Sequence, residues 1–148
     1  MKIVVGTDGS PDAQRGVEWA ADHARNVGAE IVAVYSIEMI YPAAPMAVPV
    51  LADVDESRRS EAEIALEEAC APLREAGVPY RAVIDDGNAA AAIERVADEE
   101  AADLLVVGRR GRGALGSLLL GSVTNQLLHH TTHTVVVVPP AKKRTADD

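Results

Sequence analysis

Residues 104–123 read Leu-Leu-Val-Val-Gly-Arg-Arg-Gly-Arg-Gly-Ala-Leu-Gly-Ser-Leu-Leu-Leu-Gly-Ser-Val, a short apolar run followed by a segment rich in glycine and arginine. The run Leu104–Val107 is typical of a buried parallel strand. In the segment Gly108–Val123, glycines allow the backbone to approach a ligand closely, and backbone N–H groups in such a loop can form a concave anion site. Arginine adds a permanently charged fork suited to phosphate. We therefore interpret the segment as a cradle for phosphate groups.

The rest of the chain repeats one order: a short apolar strand, a turn and an amphipathic helix. Ser10 and Asn88 are expected N-caps, because their side-chain oxygens can accept the first free helical N–H groups. The sequence predicts strands at Lys2–Thr7, Glu30–Ile37, Tyr80–Ile84, Leu104–Val107 and Thr134–Val138. It predicts helices from Pro11 to about Asn26, from Asp55 to just before Gly77 with a break near Pro72, from Ala89 to Glu100, and from Ser122 to about His130.

This alternation predicts an α/β fold, a doubly wound, five-stranded parallel sheet with helices on both faces. The expected strand order is 3-2-1-4-5, which makes the first and fourth strands neighbours. Ligands of such sheets bind at the carboxyl ends of the strands, where the direction of winding changes. The turn Gly6–Ser10 and the segment Gly108–Val123 should therefore meet, and their meeting point is the expected binding site.

Residues 38–54 interrupt the alternation. They are largely apolar but contain three prolines, which disfavour a regular helix or strand. The sequence predicts a long loop here, and a loop of this kind is usually functional or covers an interface.

Composition excludes several classes of protein. The formal net charge of −9 argues against a general nucleic-acid binder, because neutralising a phosphate backbone requires a basic surface. Against this background the cluster Arg109, Arg110 and Arg112 suggests a small anionic ligand. Cys70 is the single cysteine, so no disulfide can form within the chain, and no stretch is long enough to span a bilayer. The first apolar run is too short for a signal peptide, and we expect a soluble, cytoplasmic protein.

The spacing of the glycines can be compared with phosphate-binding motifs. Gly108 and Gly113 have the outer spacing of a P-loop, as do Gly116 and Gly121, but the required lysine is missing from both. Gly111, Gly113 and Gly116 spell G-x-G-x-x-G, yet no helical pattern follows. No acidic residue stands about twenty residues later to hold a ribose. A P-loop and a dinucleotide oxidoreductase are therefore disfavoured.

The remaining pattern is Gly108-x-x-Gly111, nine further residues and then Gly121-Ser122. It resembles the nucleotide-binding motif of the universal stress protein family. The resemblance extends through the opening Ile-Val-Val-Gly-Thr-Asp-Gly-Ser, the Ala-Asp-Leu-Leu-Val-Val-Gly before the motif and the closing Val-Val-Val-Val-Pro. It implies an adenine nucleotide alpha-hydrolase-like fold over residues 1–140 and ATP binding. The chain length predicts a single domain, and residues 141–148 are expected to form a short, charged, flexible tail. Mg²⁺ is expected to accompany the ATP.

The resemblance assigns roles by position. The turn Gly6–Asp8 is expected at the nucleoside end, and Ser36 should lie beside the adenine, where main-chain contacts dominate. The segment Val107–Ala114 should wrap the ribose and phosphates, and Gly121–Val123 should close over the phosphates, because the start of a helix favours anions. The full set of expected binding residues is Gly6, Thr7, Asp8, Ser36, Val107, Gly108, Arg109, Arg110, Gly111, Arg112, Gly113, Ala114, Gly121, Ser122 and Val123.

The arginines and the aspartate of this set have alternative roles. We expect Arg109 and Arg112 to contact phosphate, whereas Arg110 could equally face solvent, and each arginine could be an exposed loop residue without a ligand. A carboxylate beside phosphates repels them unless it holds a metal or a hydroxyl. Asp8 is therefore expected to accept a nucleoside hydrogen bond or to help hold Mg²⁺, and its alternative role is to cap the turn before the first helix.

Two other clusters of polar residues could form a metal site or a pair of catalytic carboxylates, but each has a simpler explanation. His129, His130 and His133 lie at a helix end, where histidines are ordinary, and no cysteine or acidic ligand accompanies them. Asp85 and Asp86 are explained by turn chemistry. We identify no catalytic residue and no metal site formed by side chains.

The expected function is an ATP-binding regulator or sensor in a stress response, acting on a protein partner that the sequence does not identify, with slow ATP hydrolysis or none. Two alternatives stay open: an ATPase or adenylyl-chemistry enzyme on the same fold, and a dimeric interaction module with an idle pocket. Members of the family are usually dimeric. The apolar last strand, Val135, Val136, Val137 and Val138, is expected at the sheet edge and must be covered, so we expect a homodimer across it.

Overall fold

The computed structural model contains a five-stranded parallel sheet in the order β3-β2-β1-β4-β5, which confirms the predicted doubly wound α/β fold. The structure describes residues 1–37, 48–111 and 120–142, and only the backbone of residues 48–55. The strands are β1 (Lys2–Gly6), β2 (Glu30–Ile37), β3 (Tyr80–Asp86), β4 (Leu104–Gly108) and β5 (Val135–Val138). The helices are α1 (Pro11–Val27), α2 (Val48–Ala69), α3 (Ala71–Glu75), α4 (Ala89–Glu99) and α5 (Ser122–His130).

Two apolar clusters hold the helices on opposite faces of the sheet. On one face, Val17 of α1 and Leu66 of α2 pack in a cluster with Ile3 of β1. On the other face, Ile93 of α4 packs in a cluster with Val4 of β1. Successive strand residues alternate between the faces, so the continuous apolar runs of the strands are needed on both sides. None of the helices in the described ranges is both long and apolar enough to cross a lipid bilayer.

Local sequence signals fix both ends of α1 and the start of α4 as predicted. The Ser10 Oγ atom accepts a hydrogen bond from the Ala13 N–H at 3.3 Å, and Pro11 occupies the first helical position. Gly28 ends α1 with a φ of 71°, a left-handed conformation that favours glycine. The Asn88 Oδ1 atom accepts from the Ala91 N–H at 3.0 Å and so caps α4.

The start of α2 differs from the prediction. The sequence predicted a loop over residues 38–54 and a helix from Asp55, whereas α2 already begins at Val48. Pro49 does not prevent this, because a residue of the first helical turn needs no backbone donor. Residues 38–47 of the predicted loop lie outside the described residues. The predicted break near Pro72 is confirmed, since α2 ends at Ala69 and α3 follows.

The strand β5 forms one edge of the sheet. The Thr134 carbonyl accepts a hydrogen bond from the Leu105 N–H of β4, and the Val138 carbonyl accepts one from the N–H of Arg109, which follows β4, each at 2.9 Å. Backbone groups of alternate residues point to opposite sides of a strand, so those of Val135 and Val137 point to the open edge. The outer edge of this apolar strand has no neighbouring strand among the residues described.

Cys70 lies between α2 and α3, with 1% of its surface exposed. Burial raises the pKa of its thiol from an ordinary value of 9.0 to about 11. The fold therefore favours the neutral thiol. Below pH 9 the thiol is protonated in both the folded and the unfolded chain, and its contribution to the free energy of unfolding is complete. Between pH 9 and 11 the thiol ionises only in the unfolded chain, so this contribution falls as the pH rises.

We expect the free energy of unfolding to fall more steeply with rising pH in the unaltered chain than in Cys70→Ala. The difference in the free energy of unfolding between the unaltered chain and Cys70→Ala should become smaller by ~2 kcal/mol between about pH 8 and about pH 10.5. Urea unfolding followed by circular dichroism at both pH values measures it. Parallel pH profiles for the two chains would contradict the burial of an ionisable thiol in the core.

Candidate functional site

The loops after β1 and β4 meet at the carboxyl edge of the sheet, because these two strands pair side by side. The register places Ile3 opposite Leu104, and Asp8 of the first loop lies against Gly111 of the second. A cavity of about 570 Å³ opens where they meet. In doubly wound sheets this is the switch point at which ligands bind.

Most residues of the expected binding set line this cavity. Those that do are Gly6, Thr7, Asp8, Ser36, Val107, Gly108, Arg110, Gly111, Gly121, Ser122 and Val123. Arg109 is not among the lining residues. Arg112, Gly113 and Ala114 lie outside the described residues. The structure thus brings together residues from three separate parts of the chain, and their contacts with a ligand stay predictions.

Arg109 and Arg110 lie in different surroundings. Arg110 lines the cavity, and its Nε atom lies 3.3 Å from Asp12 Oδ2 at the start of α1. Arg109 continues β4 beside β5, and its backbone N–H donates to the Val138 carbonyl at 2.9 Å. The Arg109 Nε atom is buried and has no hydrogen-bond partner within the described chain. The sequence favoured Arg109 over Arg110 as a phosphate contact, whereas Arg110 is the one that lines the cavity.

The turn after β1 is held by its own backbone and side chains. The Thr7 N–H donates to the Val34 carbonyl at 2.9 Å, which fixes the turn to the end of β2. The Thr7 Oγ1 atom accepts from the Gly9 N–H at 3.2 Å. The Asp8 Oδ1 atom accepts from the Ser10 N–H at 2.9 Å. One oxygen of Asp8 therefore closes the turn before α1, while the carboxylate still borders the cavity.

Two glycines let the loop after β4 lie against its neighbours. A Cβ atom at Gly108 would overlap the backbone of Asp12 and Ala13 in the first turn of α1. A Cβ atom at Gly111 would overlap the Asp8 carboxylate. The backbone of this loop therefore forms part of the cavity wall, as a phosphate cradle requires.

The start of α5 faces the cavity without a side-chain cap. Gly121 is the N-cap residue, with φ −71° and ψ 162°, and it makes no side-chain cap hydrogen bond. Ser122 and Val123 follow and line the cavity. The Thr124 hydroxyl donates to the Gly108 carbonyl at 2.9 Å, which fixes this helix start to the end of β4. Uncapped N–H groups and the helix dipole together favour an anion here.

Further cavity residues were not anticipated. On α2, Arg58, Glu61 and Ala62 line the cavity, and on α4 so do Ala89 and Ile93. The spacing of the α2 residues, i, i+3 and i+4, places them on one helical face. The Asn88 cap could have indicated Ala89, because it places the start of α4 at the same sheet edge.

Ser36 and the acidic pair after it are already engaged in the fold. The Ser36 hydroxyl donates to the Gly87 carbonyl at 2.9 Å. Asp85 and Asp86 belong to β3 rather than to a turn, because β3 extends two residues beyond its predicted end. Asp85 pairs with Arg95 of α4, and Asp86 pairs with an arginine of α2. These carboxylates are thus structural ion pairs at the edge of the sheet.

The histidine cluster contributes to the junction between α4 and β5. The His133 Nε2 atom lies 2.7 Å from Asp98 Oδ1, and its Nδ1 atom lies 3.3 Å from the Ala102 carbonyl oxygen. His129 and His130 form the last turn of α5, where positive charge is favourable. Within the part of the chain that the structure describes, no three potential ligands are grouped to hold a metal ion.

The fold and this cavity define the class of the molecule: a doubly wound α/β protein with a glycine-lined cavity at the switch point. The family model of the universal stress protein family matches residues 1–139. The chain belongs to the universal stress protein family.

Relatives of known sequence agree with this assignment. A universal stress protein of Mycobacterium tuberculosis is 37% identical over 131 residues, which cover 86% of this chain and 41% of the relative. The chain thus spans less than half the length of that relative. A universal stress protein of Thermus aquaticus is 35% identical over 127 residues, covering 85% of this chain and 89% of the relative.

Solved structures share the fold. The universal stress protein UspA from Lactobacillus plantarum has a TM-score of 0.84 at 24% identity, covering 93% of this chain and 97% of that chain. A universal stress protein in complex with cAMP has a TM-score of 0.68 at 30% identity, covering 95% and 98%. An Arabidopsis thaliana family protein with AMP bound has a TM-score of 0.70 at 23% identity, covering 99% and 94%.

We expect Gly108→Ala to destabilise the fold by ~3 kcal/mol, because its new Cβ would meet fixed backbone of α1. Gly6→Ala is the matched control. Its Cβ would meet the flexible end of the Ile93 side chain, so we expect a loss of ~1 kcal/mol. Urea unfolding of the three chains measures both effects. Equal losses for the two variants would contradict the close approach of α1 to β4.

Proposed function

We propose that the chain binds ATP in the cavity between the loops after β1 and β4 and acts as a nucleotide-dependent regulator in a stress response. The observation that carries this proposal is the uncapped start of α5, where Ser122 and Val123 line the cavity. Helix starts of this kind accept phosphate through backbone N–H groups.

The phosphate end of the proposed site combines three donors of different kinds. The N–H groups of Ser122 and Val123 would hold phosphate oxygens, and the Ser122 hydroxyl adds a further donor. Arg110 supplies a cation beside them. The missing side chain of Gly111 lets the loop lie against Asp8 at this end of the cavity. Arg112, Gly113 and Ala114 remain proposed contacts of this end.

The nucleoside end is proposed at β2, on the other side of the cavity. The half-buried Ile37 lines the cavity there, together with the buried side chains of Val34 and of Ile93 in α4. Such apolar side chains suit the faces of an adenine ring. The Ser36 hydroxyl already donates to the Gly87 carbonyl, so recognition at this position would use main-chain groups, as the family resemblance implies.

Mg²⁺ is the proposed companion of the nucleotide. This ion usually keeps several waters and binds through phosphates and one or two carboxylates. Asp8 borders the cavity beside the glycine loop and could supply such a carboxylate, or accept a hydrogen bond from the nucleoside. The donor set of the cavity fits an ion delivered with the phosphates. Mg²⁺ would neutralise phosphate charge, and Asp8 would orient the complex.

Two further observations support a binding role with slow hydrolysis or none. The universal stress protein crystallised with cAMP is 30% identical to this chain over nearly its whole length. The lysine that P-loop enzymes direct at the phosphates is missing from both matching glycine spacings. A nucleotide that persists in the site can act as a signal, and an unidentified protein partner would respond to the bound state.

The experiment that tests this function is calorimetric titration of the purified chain with ATP. We expect Ser122→Pro to weaken ATP binding about tenfold or more, because proline removes one charge-assisted donor. The helix should persist. Proline is favoured at the first helical position, and Gly121, with φ −71° and ψ 162°, matches Ser10, with φ −71° and ψ 159°, which already precedes Pro11.

Ser122→Ala is the control for the lost hydroxyl, and it should weaken binding less than the proline variant. Adenosine, which has no phosphate, should bind all three chains alike. Thermal unfolding of the unliganded variants checks that α5 is intact. Equal ATP affinity of Ser122→Pro and the unaltered chain would contradict the phosphate position at α5.

We also propose a homodimer formed across the open edge of β5. The backbone groups of Val135 and Val137 point to that edge, as the hydrogen bonds of Thr134 and Val138 to β4 imply. An apolar edge left uncovered would promote uncontrolled pairing, and a two-fold axis is the commonest way to cover it.

Light scattering at micromolar concentration should therefore give the mass of two chains. Val137→Pro should give one, because it removes an outward N–H while leaving the bonds to β4 intact. Val27→Ala, an exposed substitution on α1, is the control and should remain dimeric. A single-chain mass for the unaltered protein would contradict the proposal.

A further inference from the structure

The inward face of α2 changes from apolar to charged near its N-terminal end. Ala62, Leu66 and Ala69 form its buried stripe and are 2–4% exposed. Arg58 stands four residues before Ala62, on the same face. At this position the stripe becomes charged, and the side chain lines the cavity instead of the core. A charged residue at an inward position breaks the local pattern, and such breaks concentrate at functional sites.

Glu61 adds a second charge to this wall. It lies three residues after Arg58 and also lines the cavity, where it is exposed at the mouth. Asp8 and Arg110, in the loops after β1 and β4, also line the cavity. Two cations and two anions therefore line it among the described residues, and a change in any of them alters the field that a ligand meets.

The charged residues next to Arg58 and Glu61 on α2 do not line the cavity. Arg59 turns to the end of β3, where its Nη1 atom lies 3.7 Å from Asp86 Oδ2. Glu63 is exposed and is not among the residues that line the cavity. The helix thus offers two side-chain pairs of the same chemistry, one inside the cavity and one outside it.

We propose that Arg58 and Glu61 determine which nucleotides the cavity prefers, according to the charge of the phosphate chain. Arg58 attracts phosphate groups and Glu61 repels them, so the two residues act in opposite directions on the same ligand property. The proposal rests on the proposed nucleotide-binding function and extends it to α2, which the glycine motif does not include. Arg58 is half-buried, so its charge is screened less than a charge at a free surface, whereas Glu61 is exposed and should act more weakly.

The test compares adenosine, AMP, ADP and ATP by calorimetric titration in the absence of divalent ions. Arg58→Gln should lower ATP affinity about tenfold and AMP affinity less, while adenosine affinity changes by less than about twofold. Glu61→Gln should raise ATP affinity about threefold and also leave adenosine unchanged. Added salt should reduce both effects.

Arg59→Gln and Glu63→Gln are the matched controls, with the same change in net charge on the same helix. They should change every affinity by less than about twofold. The inference would be overturned if Arg58→Gln weakened adenosine as much as ATP, or if Arg59→Gln had an equal effect. If the unaltered chain binds these ligands, and Arg58→Gln and Glu61→Gln keep the same preference among them, this inference alone is overturned. Failure of the unaltered chain to bind any of the four ligands, in the absence and in the presence of Mg²⁺, would overturn the proposed function with it.

Discussion

The close approach of the β4 loop to the start of α1 is the contact on which the site depends. Gly108 permits it, because a side chain there would overlap the backbone of Asp12. The same approach places Arg110 beside Asp12 and Gly111 beside Asp8. The parallel pairing of β1 with β4 brings the two loops to one edge, but only the missing side chains let them share a cavity wall. The fold and the binding surface therefore depend on the same glycines.

Features with a local cause could be predicted from the sequence. The start of α1 is signalled by the adjacent residues Ser10 and Pro11, and the start of α4 is signalled by Asn88. The right-handed crossovers predict helices on both faces of a doubly wound sheet, and the expected strand order is one of the arrangements that such a sheet adopts. The position of the cavity then follows from the strand order. The family resemblance added the identity of the expected ligand, which no local pattern in the chain supplies.

Features that depend on packing between distant segments could not be predicted. Arg109 and Arg110 are adjacent and chemically identical, and only the direction of the chain after β4 decides which one lines the cavity. Pro49 was interpreted as a helix breaker, although it lies in the first turn of α2, where proline is tolerated. Arg58 carried a usable signal, since it continues the spacing of the buried stripe. Its role required the knowledge that α2 borders the cavity.

The uncapped start of α5 links stability to ligand binding. Glycine at an N-cap costs only a few tenths of a kcal/mol relative to serine. At Gly121 a larger residue would also press on Arg110 Cα and the Gly111 nitrogen, 3.1 and 3.2 Å from the added Cβ. Glycine therefore leaves the first N–H groups of the helix available at little cost. A ligand at one hundred times its dissociation constant stabilises its protein by ~2.7 kcal/mol. The proposed nucleotide would thus add far more stability to the bound state than the missing cap removes. A chain whose stability depends on a ligand in this way can report the concentration of that ligand without consuming it.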